Sequence, residues 1–168
     1  MFVSKTYNLF DCLYFDDGMT SASNGFIFNT TDIQLNVDGT GTTVTNSSSS
    51  VGRTYWINKK DTASNVDLDW DSPVAVECDI INGSASVAFQ FGRQSDSQIV
   101  SRTLTQLGLT NGGHLKFTFD GTNARYFVNN SNTALFTAPL SISDLSTIRF
   151  YFPASSTLKY KNFMIYPI

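Results

Sequence analysis

The stretch that most constrains the fold of this chain is LKFTFDGTNARYFVN, at residues 115–129, which reads as a β-hairpin. Apolar Phe117 and Phe119 alternate with polar residues in its first half, and Tyr126 and Val128 alternate with their neighbours in its second half. Alternation with a period of two is typical of strands that are buried on one face. The DGTN between the halves favours a tight turn, because these residues accept backbone conformations that most others avoid. Two antiparallel strands that pack on a core are therefore predicted here.

Short alternating segments of the same kind recur along the whole chain and are separated by Gly, Asn, Asp and Ser. No segment shows the sustained apolar spacing of an amphipathic helix. We predict strands at residues 25–29, 33–37, 42–46, 54–58, 74–81, 86–92, 98–105, 115–119, 124–129, 134–137, 147–152 and 158–166. Residues 141–145 are predicted to form a short helical turn. So many short strands without crossover helices should close into two packed sheets or a barrel, because a single open sheet would leave one apolar face in water.

The last predicted strand changes its buried face along its length. Leu158 and Tyr160 share one parity, whereas Phe163 and Ile165 share the other. Two explanations fit this change: a β-bulge near residues 161–162, or burial of the strand on both faces.

Composition limits the classes of function that the chain can have. Its 168 residues suit a single domain, and 41% of them are hydrophobic, which is enough to build a core. Charged residues make up only 15%, and the net charge is −3. Binding to nucleic acid or to an anionic membrane surface requires a basic face, so neither is expected. Membrane insertion is not expected either, because polar residues interrupt the apolar ones near the N-terminus and no signal peptide is recognisable.

The cysteine and histidine content gives no sign of a metal site. Cys12 and Cys78 lie far apart and form no metal-binding motif. Two buried thiols are expected in preference to a disulfide, which stays open as the alternative. His114 is the single histidine, which excludes multi-histidine sites, and it is expected simply to begin a strand.

Six short motifs follow one another along the chain: WD at 70–71, VECDI at 76–80, DG at 120–121, YFVN at 126–129, IRF at 148–150 and NFMIYP at 162–167. In this order they resemble the concanavalin A-like lectin/glucanase jelly rolls, over roughly residues 25–168. The resemblance implies one all-β domain, an antiparallel two-sheet β-sandwich of the jelly-roll type. The pattern of residues 1–23 does not show where they belong in the fold, and the resemblance implies that they supply the strand that pairs with the C-terminal one. Such domains occur as carbohydrate-binding and laminin-G-like modules, as glucanases, and as appendages on phage tails, baseplates and heads.

Glu77 and Asp79 are the strongest candidates for catalysis, because glucanases of this fold carry their nucleophile and acid on one strand, as E-x-D-x-E or E-x-D-x-x-E. Both side chains share one face of a predicted strand. The third carboxylate is absent, since Ile81 and Asn82 occupy the two positions where these patterns would place it. A solvated strand face is therefore preferred over a catalytic pair, and no enzymatic activity is expected.

Residues 67–71 (DLDWD) form the sharpest acidic cluster and offer oxygen ligands that suit calcium. They lack the glycine and the glutamate that an EF-hand loop requires, because Ser72 and Cys78 stand at those positions. Calcium occurs in lectin relatives, so the resemblance leaves a looser loop site open. No other cofactor is expected.

Aromatic side chains are the remaining candidates for ligand contact, because flat rings can stack on sugar faces. Four rings at inward parity are expected in the core: Phe117, Phe119, Phe150 and Phe152. The predicted ligand-binding residues are Trp56, Trp70, Phe127 and Tyr151, with Asp69 and Asp71 as polar or calcium-linked helpers. For each of them, a structural role at the surface is the alternative.

These features together favour a non-catalytic carbohydrate-binding or adhesion domain that recognises a host surface glycan as part of a phage tail, baseplate or head fibre. The first alternative is a purely structural virion decoration or assembly protein, whose partners are other virion proteins or further copies of itself. The second alternative is a glycoside hydrolase of the glucanase type. The expected location is a virion, or otherwise the outside of a cell.

Overall fold

The structure is a computed structural model that describes residues 14–16, 31–58, 73–92, 99–140 and 147–168. Within these ranges the chain is mostly strand and has one short helix, α1, at Leu104–Leu107. The strands are β1 (Tyr14–Asp16), β2 (Ile33–Val37), β3 (Thr42–Asn46), β4 (Arg53–Asn58), β5 (Val74–Gly83), β6 (Ala88–Gly92), β7 (Ile99–Thr103), β8 (Gly113–Phe119), β9 (Asn123–Val128), β10 (Phe136–Pro139), β11 (Thr147–Phe152) and β12 (Ser156–Pro167).

The strands form two antiparallel sheets. The large sheet has the order β10-β9-β8-β5-β12-β3-β2, and β1 pairs with β12 beside this path. The small sheet has the order β4-β11-β6-β7. The predicted antiparallel two-sheet sandwich is therefore confirmed, and so is the implied pairing of an N-terminal strand with the C-terminal one.

The β8–β9 hairpin forms where the sequence predicts it, with the two strands in continuous register. In its turn, one side-chain oxygen of Asp120 accepts hydrogen bonds from the backbone N–H groups of Thr122 and Asn123, at 3.0 and 2.8 Å. Gly121 takes a φ of +97°, a conformation that side chains with a Cβ rarely adopt. Local turn chemistry therefore sets which residues of the two strands face each other.

The core lies between the inner faces of the two sheets and is rich in phenylalanine. The four predicted core rings are all fully buried: Phe117, Phe119, Phe150 and Phe152. Phe91 of the small sheet meets Phe119 of the large sheet edge-on, with ring centroids 5.1 Å apart. Phe89 meets Phe117 in the same manner at 6.3 Å. Edge-to-face pairs stabilise beyond the area that they bury, so these rings join the two sheets.

Strand β12 changes its buried face through a β-bulge, the first of the two predicted explanations. The register between β12 and β5 shifts between Lys161 and Met164. Asn162, which lies within this interval, has a φ of +52°, a left-handed conformation that asparagine tolerates better than most residues. Because of the bulge, Tyr160 and Phe163 are both buried although their parity differs.

One predicted strand ends two residues earlier than expected, at Thr103. The Thr103 hydroxyl accepts a hydrogen bond from the backbone N–H of Gln106, and the Gln106 side chain accepts one from the backbone N–H of Thr103. This reciprocal capping box starts α1, which buries Leu104 and Leu107. The strand prediction was wrong for the two residues after Thr103, because a four-residue helix is too short to show periodicity.

Some sequence predictions fall outside the described residues: the strand at 25–29, the helical turn at 141–145 and the state of Cys12. Cys78 is a buried free thiol, and burial raises its pKa far above the ordinary value. A thiol that stays protonated in the core is chemically inert, as expected for a structural cysteine. No helix in the described part of the chain is long and apolar enough to cross a membrane.

Candidate functional site

Three of the six predicted ligand-binding residues are described, and they lie on both sheets. The other three lie outside the described residues: Asp69, Trp70 and Asp71. Trp56 and Tyr151 lie on the adjacent strands β4 and β11 of the small sheet. Phe127 lies on β9 of the large sheet and points away from the core, because its neighbour Tyr126 is fully buried. Tyr151 and Phe127 are therefore on opposite sides of the sandwich.

The outer side of the small sheet carries a row of polar residues across three strands, β11, β6 and β7. In this row Arg149 pairs with Gln90, and Gln90 pairs with Ser101. On the fourth strand, β4, the backbone of Trp56 pairs with that of Arg149. The Arg149 Nε donates a hydrogen bond to the Gln90 Oε1 at 2.9 Å, and the Gln90 Nε2 donates to the Ser101 Oγ at 3.1 Å. Tyr151 follows Arg149 two residues later on the same side. We call Gln90, Ser101, Arg149 and Tyr151 the small-sheet face.

Arg149 and Tyr151 are both half-buried, and their surroundings fix them in place. Burial lowers the pKa of the Arg149 guanidinium, and no carboxylate of the described residues contributes to that shift. Gly52 lies directly against the Tyr151 ring, since a Cβ at this glycine would stand 2.7 Å from the ring carbon that bears the hydroxyl. Only a residue without a side chain leaves room for the ring there. The small-sheet face therefore presents an oriented guanidinium beside an oriented aromatic ring.

The outer side of the large sheet carries a second polar group, which we call the Glu77 cluster: Glu77, Asp79, His114, Lys116, Asn162 and Tyr166. Glu77 is 7% exposed although it points away from the core. One of its oxygens is 2.9 Å from the Lys116 Nζ and also accepts a hydrogen bond from the Tyr166 hydroxyl, and the other is 3.3 Å from the His114 Nε2. Burial alone would raise the pKa of Glu77, but these hydrogen bonds lower it to about 2.

His114 connects the two acidic residues of β5. Its Nδ1 lies 2.9 Å from an oxygen of Asp79, and hydrogen bonds to Glu77 and Asp79 raise its pKa. Asn162, at the β12 bulge, donates from its Nδ2 to the other Asp79 oxygen at 2.7 Å. Asp79 therefore has a partner on each carboxylate oxygen. The bulge thus places an amide in the cluster, a common use of bulges near polar sites.

The expectation of a solvated strand face around Glu77 and Asp79 was wrong. Side chains from the neighbouring strands bury Glu77, and Asp79 is in contact with His114 and Asn162. The expectation that His114 begins a strand is confirmed, but its role in joining the two carboxylates was missed. A signal for it was present, since His114 and Lys116 alternate on β8 as Glu77 and Asp79 do on β5. Placing the two strands side by side in this register would have predicted the cluster.

Neither surface has the features of a metal centre. Among the described residues, no group of three or more His, Cys, Asp or Glu side chains is arranged to hold a metal ion. The predicted calcium-linked carboxylates, Asp69 and Asp71, are outside the described ranges.

No protein-family model and no curated protein sequence matches this chain. Solved structures resemble it in fold, among them the following three. A sialidase aligns with a TM-score of 0.57 and 9% identity over 94% of this chain, which spans 19% of that protein. A Bacillus subtilis protein of unknown function with a galectin-like fold aligns with a TM-score of 0.57 and 10% identity, over 92% of this chain and 95% of that one. The CBM2 module of the evolved Dit protein of Lactobacillus casei BL23 phage J-1 aligns with a TM-score of 0.52 and 8% identity, over 92% of this chain and 94% of that one.

These similarities extend over nearly the whole described chain, at identities of 8–10%. At such identities they show the fold alone. The fold is the concanavalin A-like jelly roll, which confirms the resemblance seen in the sequence.

Proposed function

We propose that this chain is a non-catalytic saccharide-binding domain and that the small-sheet face is its contact surface. The observation that carries the proposal is the row of polar side chains across the sheet beside the half-buried ring of Tyr151. Amides, hydroxyls and a guanidinium match the donors and acceptors of sugar hydroxyls, and an aromatic ring adds contact area at low entropic cost. Trp56 is a proposed further contact, because its backbone pairs with Arg149.

The Glu77 cluster is less suited to ligand binding than the small-sheet face. Its carboxylate oxygens already accept hydrogen bonds from Lys116, Tyr166, His114 and Asn162. A sugar hydroxyl would have to displace one of these partners, and the displaced partner would lose its hydrogen bond, which costs free energy. The terminal nitrogens of Arg149, in contrast, have no partner among the described residues.

A glycosidase role for the Glu77 cluster is disfavoured by its charge state. A retaining glycosidase needs one protonated carboxyl as the acid and one free carboxylate as the nucleophile. Glu77 is deprotonated at any physiological pH, because its pKa is about 2, and both of its oxygens have partners. The cluster therefore has the features of a structural network, although an enzyme, the sialidase, is among the matching folds.

Incubation of the protein with β-glucans, laminarin or host cell-wall polysaccharide is expected to release no reducing ends. The reason is that Glu77 stays ionised and both of its oxygens already have partners, so it is available neither as a proton donor nor as a nucleophile. A reducing-sugar assay measures this directly. Turnover that disappears in the Glu77→Gln variant would contradict the proposal and favour the glycoside hydrolase alternative.

We also propose that the domain serves adhesion as part of a phage particle. This is supported by the fold shared with a module of a phage protein and by a composition that is poor in charged residues and rich in Asn, Ser and Thr. A shallow saccharide site of this kind should have a dissociation constant of roughly 1 mM to 1 μM. Useful adhesion then requires several copies, which a virion supplies.

Tyr151→Ala is expected to weaken binding to the best-bound glycan of an array by about tenfold, or about 1.4 kcal/mol, because it removes the ring beside Arg149. The array is probed with and without calcium, and the variant is titrated against that glycan by calorimetry. Phe127→Ala is the matched comparison, since Phe127 is a half-buried ring on the other side of the sandwich.

A loss of binding in Phe127→Ala with none in Tyr151→Ala would move the contact surface to the large sheet. Absence of binding to any glycan, even on a multivalent display, would instead support a structural packing role in the virion. The melting temperature of each variant is recorded, so that unfolding is not mistaken for loss of contact.

A further inference from the structure

The charge of Arg149 is not neutralised within the described part of the chain. Two of the other described arginines pair with a carboxylate: Arg53 with Asp32, and Arg125 with Asp120. Arg102 lies over the ring of Phe136, with 4.6 Å from its guanidinium carbon to the ring centroid. Among the described residues, Arg149 has neither kind of partner, and its side chain donates one hydrogen bond, from Nε to Gln90. Holding a cation half-buried without a counter-charge costs free energy, and a ligand that supplies a negative charge would offset this cost.

The orientation of the guanidinium determines which of its donors remain for a ligand. Its Nε is committed to Gln90, which is held in turn by Ser101. The two terminal nitrogens therefore remain as a planar fork of N–H donors. A planar carboxylate fits such a fork with two parallel hydrogen bonds, and charge-assisted bonds of this type are shorter and stronger than neutral ones.

The described neighbours of Arg149 on the small sheet carry no charge that would compensate its own. Arg149 is in register with Gln90 and Trp56, Gln90 is in register with Ser101, and Tyr151 lies two residues further along β11. All four of these neighbours are uncharged types. A single partly buried guanidinium among uncharged residues favours a ligand with one negative group over a polyanion, because it can balance only one charge.

We infer that the small-sheet face binds a saccharide that carries a carboxylate, such as a uronic or sialic acid, and that the Arg149 fork pairs with that group. This inference rests on the proposed function and adds the chemical class of the ligand. Gln90 and Ser101 act as positioning residues, since they hold the guanidinium at the angle that presents both terminal nitrogens.

The test uses matched pairs of saccharides that differ only in charge. The probes are oligogalacturonate, glucuronate disaccharides and sialyllactose, each beside its methyl ester, together with lactose and mannose 6-phosphate. Binding to the full chain is measured by calorimetry at 50 and 500 mM NaCl. At least one acid is expected to bind at least tenfold more tightly than its ester, with an affinity that falls at high salt. Arg149→Gln should abolish this preference, and Arg149→Lys should restore only part of it.

Arg125→Gln is the control, because it removes the same charge from the other side of the sandwich and should preserve the preference. The melting temperature of Arg149→Gln should stay the same or rise, since the variant removes a desolvated charge. A lower melting temperature together with loss of every ligand would show that Arg149 is structural and overturn the inference.

The remaining outcomes separate the inference from the proposed function. If acids and esters bind equally, and equally to Arg149→Gln, the saccharide-binding function stands and the inference fails. A preference for mannose 6-phosphate over every carboxylate would overturn the choice of a carboxylate. If none of the probes binds and the glycan array is also blank, the proposed function itself fails.

Discussion

Replacing Phe119 with alanine is expected to lower the free energy of unfolding by about 3–5 kcal/mol, the usual cost of removing a large ring from a core. The Phe119 side chain is fully buried. Its ring contacts Phe117 on its own strand, at a centroid distance of 4.3 Å, and Phe91 on the opposite sheet, at 5.1 Å. The substitution therefore opens a cavity between the sheets. Denaturant unfolding followed by fluorescence measures the change.

Phe127→Ala is the matched control for this prediction, because it removes the same atoms from the same hairpin on the outer side. Phe127 is only half-buried, so its loss should cost about half as much or less. A loss near zero for Phe119→Ala with a large loss for Phe127→Ala would mean that the inner and outer faces of the hairpin are reversed, and equal losses would contradict the assignment of the two faces.

Much of this fold could be predicted from the sequence because its signals are local. The alternation of β8 and β9 identifies the inner residues, and the DG turn sets the register of the hairpin. The bulge of β12 was predictable for the same reason, since a one-residue change of parity within a strand has few structural explanations. Strand bounds were accurate where polar residues flank each run, as at Ile33–Val37, Thr42–Asn46 and Thr147–Phe152.

The sequence did not show which strands belong to which sheet. For this reason it did not show that two of the candidate site residues lie on different sheets. Alternation shows that Phe127 and Tyr151 both point outward, but it does not show that their strands belong to different sheets. Both residues were therefore predicted as ligand contacts, although they lie on opposite sides of the sandwich. Trp56 and Tyr151 do lie on paired strands, because β4 pairs with β11 although more than half of the chain separates them.

The Glu77 cluster was missed for a related reason, which is the distance in sequence between its members. The His114–Asp79 contact joins residues 35 positions apart, and the Tyr166–Glu77 contact joins residues 89 apart. Each member by itself is an ordinary polar residue on the outer side of a strand. Only the register of β5 with β8 and β12 makes Glu77 the shared acceptor of three donors.

Replacing Glu77 with glutamine is expected to lower the free energy of unfolding by about 3 kcal/mol near pH 5.5. Lys116 and His114 would then lie beside a neutral side chain in a partly buried place, and loss of one partner from such a network is strongly destabilising. The pKa of Glu77 supports this magnitude, because it falls from 4.5 to about 2 on folding, and a tenfold change in proton affinity corresponds to about 1.4 kcal/mol.

The same cluster predicts how the stability of the wild-type protein depends on pH. Glu77 has a lowered pKa, so its contribution is present above about pH 4.5 and is lost as the pH falls towards 2. His114 has a raised pKa, so its contribution is complete below pH 6.5 and is lost as the pH rises through the higher folded value. The cluster should therefore stabilise the fold most between about pH 4.5 and 6.5.

Unfolding curves of wild-type protein, Glu77→Gln, His114→Gln and the double variant, collected from pH 3 to pH 9, test this dependence. Glu77→Gln should flatten the loss of stability on the acid side, and His114→Gln should flatten the loss on the basic side. The double variant should lose less than the sum of the single losses, because the two residues share one contact. Asp120→Asn is the control, since its carboxylate is exposed and water screens its ion pair with Arg125. If Glu77→Gln keeps the wild-type pH profile while Asp120→Asn changes it, the stability of the fold depends on surface carboxylates and the Glu77 cluster makes no net electrostatic contribution.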